Sequence, residues 1–228
     1  MISGGVFYHL RALRFGKPIS SALWYSHREG VKKFLASWAP IEKTLVLVGP
    51  SGGYSLPIDF LKQFDRIVAF EPDFIARKIF EKRFLMKLEW ITSEVDFNKM
   101  ESFLELIPKD SAILFCNLLG QIPLRGIRKI RQSFLKSLES ETWASYHDAM
   151  SGENMQFDAE LSQPKKRATL AQMKKMLYPM VNAGTLTVNA HQAPELFEGG
   201  SNLVYFYWQW RILPKRAHLI EGVFRVRE

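Results

Sequence analysis

Residues 46–57 read VLVGPSGGYSLP, and the fold turns on how this glycine-rich stretch is interpreted. It overlaps TLVLVG (44–49), a continuous apolar run rich in β-branched residues. Such a run marks a strand buried on both faces, as occurs in parallel sheets covered by helices. PIDFLKQF (57–64) then reads as a short helix, so the glycines occupy a strand-to-helix turn. Three chemistries use such a turn: a phosphate-binding loop, a hydrolase nucleophile elbow, and a cradle for a nucleoside cofactor.

Working outward, RIVAFEPD (66–73), LEWITSE (88–94), SAILFCNLLG (111–120) and TWASYHDAM (142–150) read as further strands. Helical patterns at FIARKIFEKRF (74–84), NKMESFLELI (98–107) and GIRKIRQSFLKSLES (126–140) separate them. Five strands alternating with helices specify an α/β fold, an open, doubly wound Rossmann-like sheet. Right-handed crossovers put every strand's carboxyl end on one edge, and ligands bind outside that edge where strand order reverses. TLAQMKKMLYPM (169–180) reads as a helix and TLTVNAHQ (185–192) as a strand. NLVYFYWQWRIL (202–213) and HLIEGVFRVR (218–227) predict an antiparallel hairpin. The expected sheet has about seven strands, mostly parallel, with helices on both faces.

Residues 1–42 read as an arm and a helix, on which Leu23, Trp24, Val31, Phe34, Leu35 and Trp38 trace an apolar stripe ended by Pro40. Residues 43–228 form one expected domain. Within it SGENMQFDAELSQPKKRA (151–168), polar and aperiodic, reads as a long loop or lid.

Composition sets outer bounds. The 228 residues are 47% hydrophobic, enough for a core without staples. Cys116 is the single cysteine, which excludes an intrachain disulfide and suits a reducing compartment. No apolar run reaches a membrane span, and the first residues lack a signal peptide's apolar core, so a cytoplasmic location is expected. The net charge is +8, but the basic residues are spread over the helical segments. Solvated helix faces explain them, and RNA stays open as a partner beside a small molecule. No cysteine–histidine cluster or H-E-x-x-H occurs, so no metal is expected.

The turn's three readings separate on single residues. A P-loop needs G-x-x-x-x-G-K-[ST], and Tyr54 stands where the lysine is required. Gly49-Pro50-Ser51-Gly52-Gly53 fits G-x-S-x-G, and Asp148 followed by His191 or His218 keeps the order of a Ser-Asp-His triad. The residues before this strand read as helix, however, so no earlier strand loop supplies an oxyanion donor. The cradle reading gains from Glu71, which ends the second strand 22 positions after Gly49. A carboxylate about 20 residues on is where ribose hydroxyls are bound. The competing role for Glu71 is a cap on the helix near Phe74.

Over most of residues 43–228 the chain resembles the class I S-adenosylmethionine-dependent methyltransferases, whose sheet has five α/β units followed by an antiparallel hairpin. VLVGPSGGY resembles their first motif, with Gly49, Ser51 and Gly53 at the glycine positions. VAFEPD resembles the second, which implies Glu71 on the ribose and Pro72 or Asp73 beside the adenine. EWITSEVDF is similar to the third, implying Glu94 on the adenine amino group and Val95 over the ring. ILFCNLLGQ resembles the fourth, implying Asn117 and Leu118 near the methyl donor. The resemblance thus implies S-adenosylmethionine held by Gly49, Pro50, Ser51, Gly52, Gly53 and these later residues. It implies a methyltransferase acting on a small molecule or an RNA or protein group, with a noncatalytic binding member of the same fold as the alternative. Three departures stand out: Leu47 replaces the acidic residue of strand one, Ser51 replaces the middle glycine, and the fourth motif is not D/N-P-P-Y.

The chemistry would fall to residues at strand carboxyl ends: Asn117, Gln121, Tyr146, His147 and Asp148. His147, with an ordinary pKa near 6.5, and Asp148 are the expected catalytic pair beside Asn117. Neighbours on a strand point to opposite faces, so these two form a dyad only if the strand has ended. Cys116 reads as a buried structural thiol. In VYFYWQW, Val204, Phe206, Trp208 and Trp210 share one face, with Tyr205 and Tyr207 on the other. They would stack nucleobases or, more simply, line a covered strand.

Overall fold

The computed structural model describes residues 9–10, 12, 22–92, 100–119, 133, 135–153, 173, 189–190, 202–213 and 216–226. Their elements run α1 (Ala22–Trp38), β1 (Thr44–Val48), α2 (Ile58–Leu61), β2 (Arg66–Phe70), α3 (Phe74–Phe84) and β3 (Glu89–Ile91). Then come α4 (Met100–Leu104), β4 (Ser111–Cys116), β5 (Thr142–Glu153), β6 (Asn189–Ala190), β7 (Leu203–Leu213) and β8 (Arg216–Arg225).

The strands pair in the order β3-β2-β1-β4-β5-β8-β7, and the two-residue β6 pairs β5 on the side. The first five strands are parallel, and β8 and β7 close the sheet antiparallel, as the sequence predicts. Strand order reverses between β1 and β4, the position at whose carboxyl edge open α/β sheets generally take their ligands.

Alternation along the buried strands sorts side chains into two cores. Val46, Val48, Val68, Ile113 and Phe115 meet Phe103 of α4 on one face. Leu45, Leu47, Ile67, Ala69 and Leu114 meet Phe34 and Leu35 of α1, Phe60 of α2 and Phe80 of α3 on the other. Helices on both faces explain why β1 and β4 carry no polar alternation. Phe206, Trp208 and Trp210 join the second core, so the aromatic run is a covered strand.

Strand length shapes the site. β1 has 5 residues, whereas β5 has 12, β7 has 11 and β8 has 10. The last residue of β4, Cys116, pairs with Tyr146, so everything later in β5 rises past the carboxyl edge. There it stays paired with β8, and β8 with β7, forming a wall beside the edge. The expected lid at 151–168 therefore begins differently: Ser151, Gly152 and Glu153 continue β5 opposite His218, Ala217 and Arg216, and residues 154–168 lie outside the described residues. A register shift between Asp148 and Met150 marks a β-bulge, the device by which a strand re-aims a side chain.

Helix α1 covers this wall through a close approach. A Cβ on Gly30 would lie 2.4 Å from the Trp208 ring, so only glycine lets the helix backbone rest there. Trp24, His27, Val31, Phe34, Leu35 and Trp38 are its buried stripe. The predicted helix 57–64 shortens to the single turn of α2, which starts after Pro57.

Candidate cofactor and acceptor site

The turn after β1 keeps its curvature through three left-handed residues: Gly49 at φ 68°, Ser51 at φ 51° and Gly53 at φ 65°. Glycine adopts that region freely; an L-residue pays about 1–2 kcal/mol. Ser51 therefore holds the conformation of the glycine it replaces. One oxygen of the Glu71 carboxylate accepts the Ser51 N–H at 2.8 Å, and the other accepts the Asp73 N–H at 3.0 Å. The side chain points at the turn, tying the end of β2 to the end of β1. Burial pushes its pKa up, against the pull of those two N–H groups.

Glu71 is not the cap of the following helix. Asp73 is: its carboxylate accepts from the N–H groups of Ile75 and Ala76 at 2.8 and 3.3 Å. His9, from the N-terminal segment, bridges the two loops, with Nδ1 2.9 Å from the Tyr54 hydroxyl and Nε2 2.9 Å from Asp73 Oδ2. The two ring nitrogens thus tie the hydroxyl of one loop to the carboxylate of the other. Burial raises the Tyr54 pKa to about 12, which keeps that hydroxyl a donor. Burial also pushes Asp73 upward, but His9 and the two helix N–H groups outweigh it and hold the carboxyl below its usual range.

The second half of the site gathers where β4 and β5 end. Asn117 is left-handed at φ 51°; its N–H donates to the Tyr146 carbonyl at 2.7 Å and its Oδ1 accepts the Asp148 N–H at 3.0 Å. Leu118 closes against Gly49, with its Cβ 3.1 Å from where a glycine Cβ would sit. The first and fourth motifs are thus in contact. Asp148 and His147 point to opposite faces, as strand alternation requires. Asp148 Oδ2 lies 3.0 Å from His218 Nδ1 on β8, with the two side chains 8% and 10% exposed.

His147 is fully buried on the other face. There its Nδ1 lies 3.1 Å from Ser145 Oγ and its Nε2 3.3 Å from Glu221 Oε1, and Tyr207 donates to Glu221 at 2.7 Å. His147 and Asp148, expected as a pair, therefore do not meet; the histidine beside Asp148 is His218. Cys116 is buried and its thiol is pushed up to about 12 by that burial. Glu94, Val95 and Gln121 lie outside the described residues.

Around the Asp148–His218 pair stand aromatic rings. His27 stacks on Trp210 with ring centres 4.5 Å apart and planes at 16°, and accepts the Trp208 indole N–H at 3.0 Å. Trp24 meets Trp210 edge-on at 5.0 Å, and Trp210 lies 5.6 Å from His218. Burial lowers the His27 pKa to about 3, so its ring is neutral. His9, His27 and His218 were not legible as a set, because they come from three distant segments joined only by tertiary packing.

The hydrolase arrangement divides. Asp148 and His218 do meet, but Ser51 lies in the turn after β1, and β1 is three strand spacings from β8, or about 14 Å; His191 lies outside the described residues. A nucleophile must lie within hydrogen-bond reach of its base.

No family model and no curated protein sequence matches the chain. Among solved structures, the chain has the fold of class I S-adenosylmethionine-dependent methyltransferases. The magnesium protoporphyrin IX methyltransferase ChlM of Synechocystis PCC 6803, crystallised with bound SAH, superposes with a TM-score of 0.50 over 98% of this chain and 95% of that one, at 13% identity. The N-methyltransferase NodS of Bradyrhizobium japonicum WM9, in complex with S-adenosyl-L-homocysteine, gives 0.46 over 96% and 98% at 9% identity.

Proposed function

We propose that this chain binds S-adenosylmethionine over the Gly49–Gly53 turn and transfers its methyl group to an acceptor held against the β5–β8–β7 wall. The observation that carries the reading is the Glu71 carboxylate, aimed at the turn and 2.8 Å from the Ser51 N–H. A carboxylate offers about four lone-pair positions, and two are used by backbone donors. Two remain, the number a ribose diol needs. Gly49, Ser51, Asn117 and Leu118 are partly open and Pro72 is exposed, so this edge is accessible. The residues present therefore fit the nucleoside. Gly49, Ser51 and Glu71 would hold the ribose end, with Asn117 and Leu118 at the sulfonium end. When bound, the cofactor supplies an electrophilic methyl group.

Methyl transfer is an in-line displacement, so the protein's share is alignment and desolvation, with a base where the acceptor carries a proton. The fixed contact between Leu118 and Gly49 and the Asn117–Asp148 hydrogen bond join the two halves that must be aligned.

Calorimetric titration with S-adenosylmethionine and S-adenosylhomocysteine tests the reading. We expect saturable one-site binding that Glu71→Ala weakens by about 10- to 100-fold, from the loss of a charged acceptor. Absence of binding to the wild-type chain overturns it. A second reading, a noncatalytic cofactor binder, is favoured by Leu47, which is fully buried and places an apolar side chain where the related motif has an acid. Binding without transfer to any acceptor would select it.

A further inference from the structure

We propose that His9 is a positioning residue for the nucleoside site: its imidazole braces the loop after β1 against the loop after β2 and so holds the Glu71 carboxylate in place for the ribose. The proposal rests on the nucleoside-binding reading above and adds to that site a residue from the N-terminal segment.

Three observations carry it. First, the contacts close a ring. Glu71 accepts the N–H of Ser51 in the first loop and of Asp73 in the second. His9 lies 2.9 Å from the Tyr54 hydroxyl in the first loop and 2.9 Å from Asp73 Oδ2 in the second. The two loops are therefore tied twice, once through the carboxylate aimed at the turn and once through an imidazole behind it. Second, each end of the brace is itself held. The Tyr54 ring folds back on its own turn: a Cβ on Gly52 would lie 2.7 Å from the ring Cζ and 2.9 Å from the hydroxyl oxygen. Trp24 meets the same ring edge-on at 6.3 Å. Asp73 is fixed separately, because its Oδ1 caps α3 while its Oδ2 faces His9. Third, the brace is sheltered and anchored. Residues 9, 10 and 12 are helical. His9 is 3% exposed and Ala12, on the same helical face, is buried in the second core, whereas Leu10 is 58% exposed.

A tie of this kind acts through preorganisation. A carboxylate whose two backbone donors are kept at a fixed separation loses less freedom when a ligand takes its remaining lone pairs. Burial removes competing water, so each of these hydrogen bonds is costly to leave unmade. The brace also acts through charge. Among the described residues, the charged groups that act on Glu71 are Asp73, which pushes its pKa up, and His9, which pulls it down. On β4 the Cys116 thiol, pushed up to about 12 by burial, is neutral. Arg83 of α3 lies over the Tyr54 ring, 5.4 Å from its centre. His9 therefore keeps Glu71 an ionised acceptor to lower pH than burial alone would allow.

The test is a double-mutant cycle on the full chain, read by calorimetry with S-adenosylhomocysteine at about pH 8. A brace needs both ends, so His9→Ala and Tyr54→Phe should each weaken binding about 10-fold, and the double variant no further. Tyr54→Phe keeps the ring and its packing, so the cycle retains one informative arm even where His9→Ala folds poorly. Chemical denaturation of each variant separates lost stability from lost affinity. Unchanged affinity in Tyr54→Phe, or losses that add in the double variant, overturns the brace. The pH profile reads the link to Glu71, which a purely structural histidine would not touch. The acid limb of binding should move to higher pH in His9→Ala, and a limb that stays in place overturns that link. Wild-type binding that Glu71→Ala weakens and neither brace variant does overturns this proposal alone. Failure of the wild-type chain to bind removes the nucleoside reading as well.

Discussion

At the residue scale, Ser51 and Glu71 behave as one unit. Ser51 holds a left-handed backbone that favours glycine, and its N–H is fixed by Glu71. Ser51→Gly should therefore stabilise the chain by about 1 kcal/mol, read by chemical denaturation, while cofactor affinity is kept. A loss of affinity would show that the hydroxyl itself contacts the ligand. Glu71 also gives a pH test. Its pKa is raised by burial, so its carboxyl protonates at a higher pH than an exposed glutamate. Protonation removes an acceptor, so S-adenosylhomocysteine affinity should fall as pH drops through that raised value, and Glu71→Gln should bind weakly at every pH. The His27 pKa is shifted the other way, downward, yet its effect is also lost on acidification. Its folded pKa is depressed to about 3, so its contribution to stability is complete above the unfolded value of 6.5 and is lost as pH falls from there towards 3. The loss is about 1.4 kcal/mol per pH unit within that window. His27→Gln keeps an acceptor for the Trp208 indole and should flatten the slope between pH 6.5 and 4.

At the element scale, α1 and the β5–β8–β7 wall act together. Gly30 sets their spacing, and any side chain there meets the Trp208 ring at 2.4 Å. Gly30→Ala should cost about 1–3 kcal/mol by overpacking and displace His27 from Trp210, visible as a change in tryptophan fluorescence. The strands themselves were legible because two-sided burial leaves a continuous apolar run, as in TLVLV, and the hairpin was legible as two aromatic and apolar runs joined by the short segment Pro214-Lys215-Arg216-Ala217. Where β5 ends was not legible. SGE after Met150 is polar, yet β8 pairs it and carries it past the edge. Polarity there accompanies a paired strand rather than a loop. The length of α2 was hidden for a similar reason, since the turn is closed by tertiary packing of Phe60 and Leu61 and not by helix propensity.

At the scale of the whole molecule, the site is assembled from contacts the sequence does not encode locally. Glu71 was legible because a motif spacing of about 20 residues reflects one strand–helix–strand unit. His218 was not, because it reaches Asp148 only through the antiparallel register of β8 on β5. His147 seemed the natural partner from adjacency, and alternation sent it instead into the opposite core with Ser145, Glu221 and Tyr207. Among the described residues, no helix is long and apolar enough to cross a membrane. The central claim is that the Gly49–Gly53 turn and Glu71 together grip one nucleoside, and its most direct test is a crystal structure of the chain soaked with S-adenosylhomocysteine. Density for an adenosine above the turn, with both ribose hydroxyls within hydrogen-bond reach of Glu71, is the expected result. A saturating soak that leaves that edge bare, or a ligand bound away from Glu71, would contradict the claim.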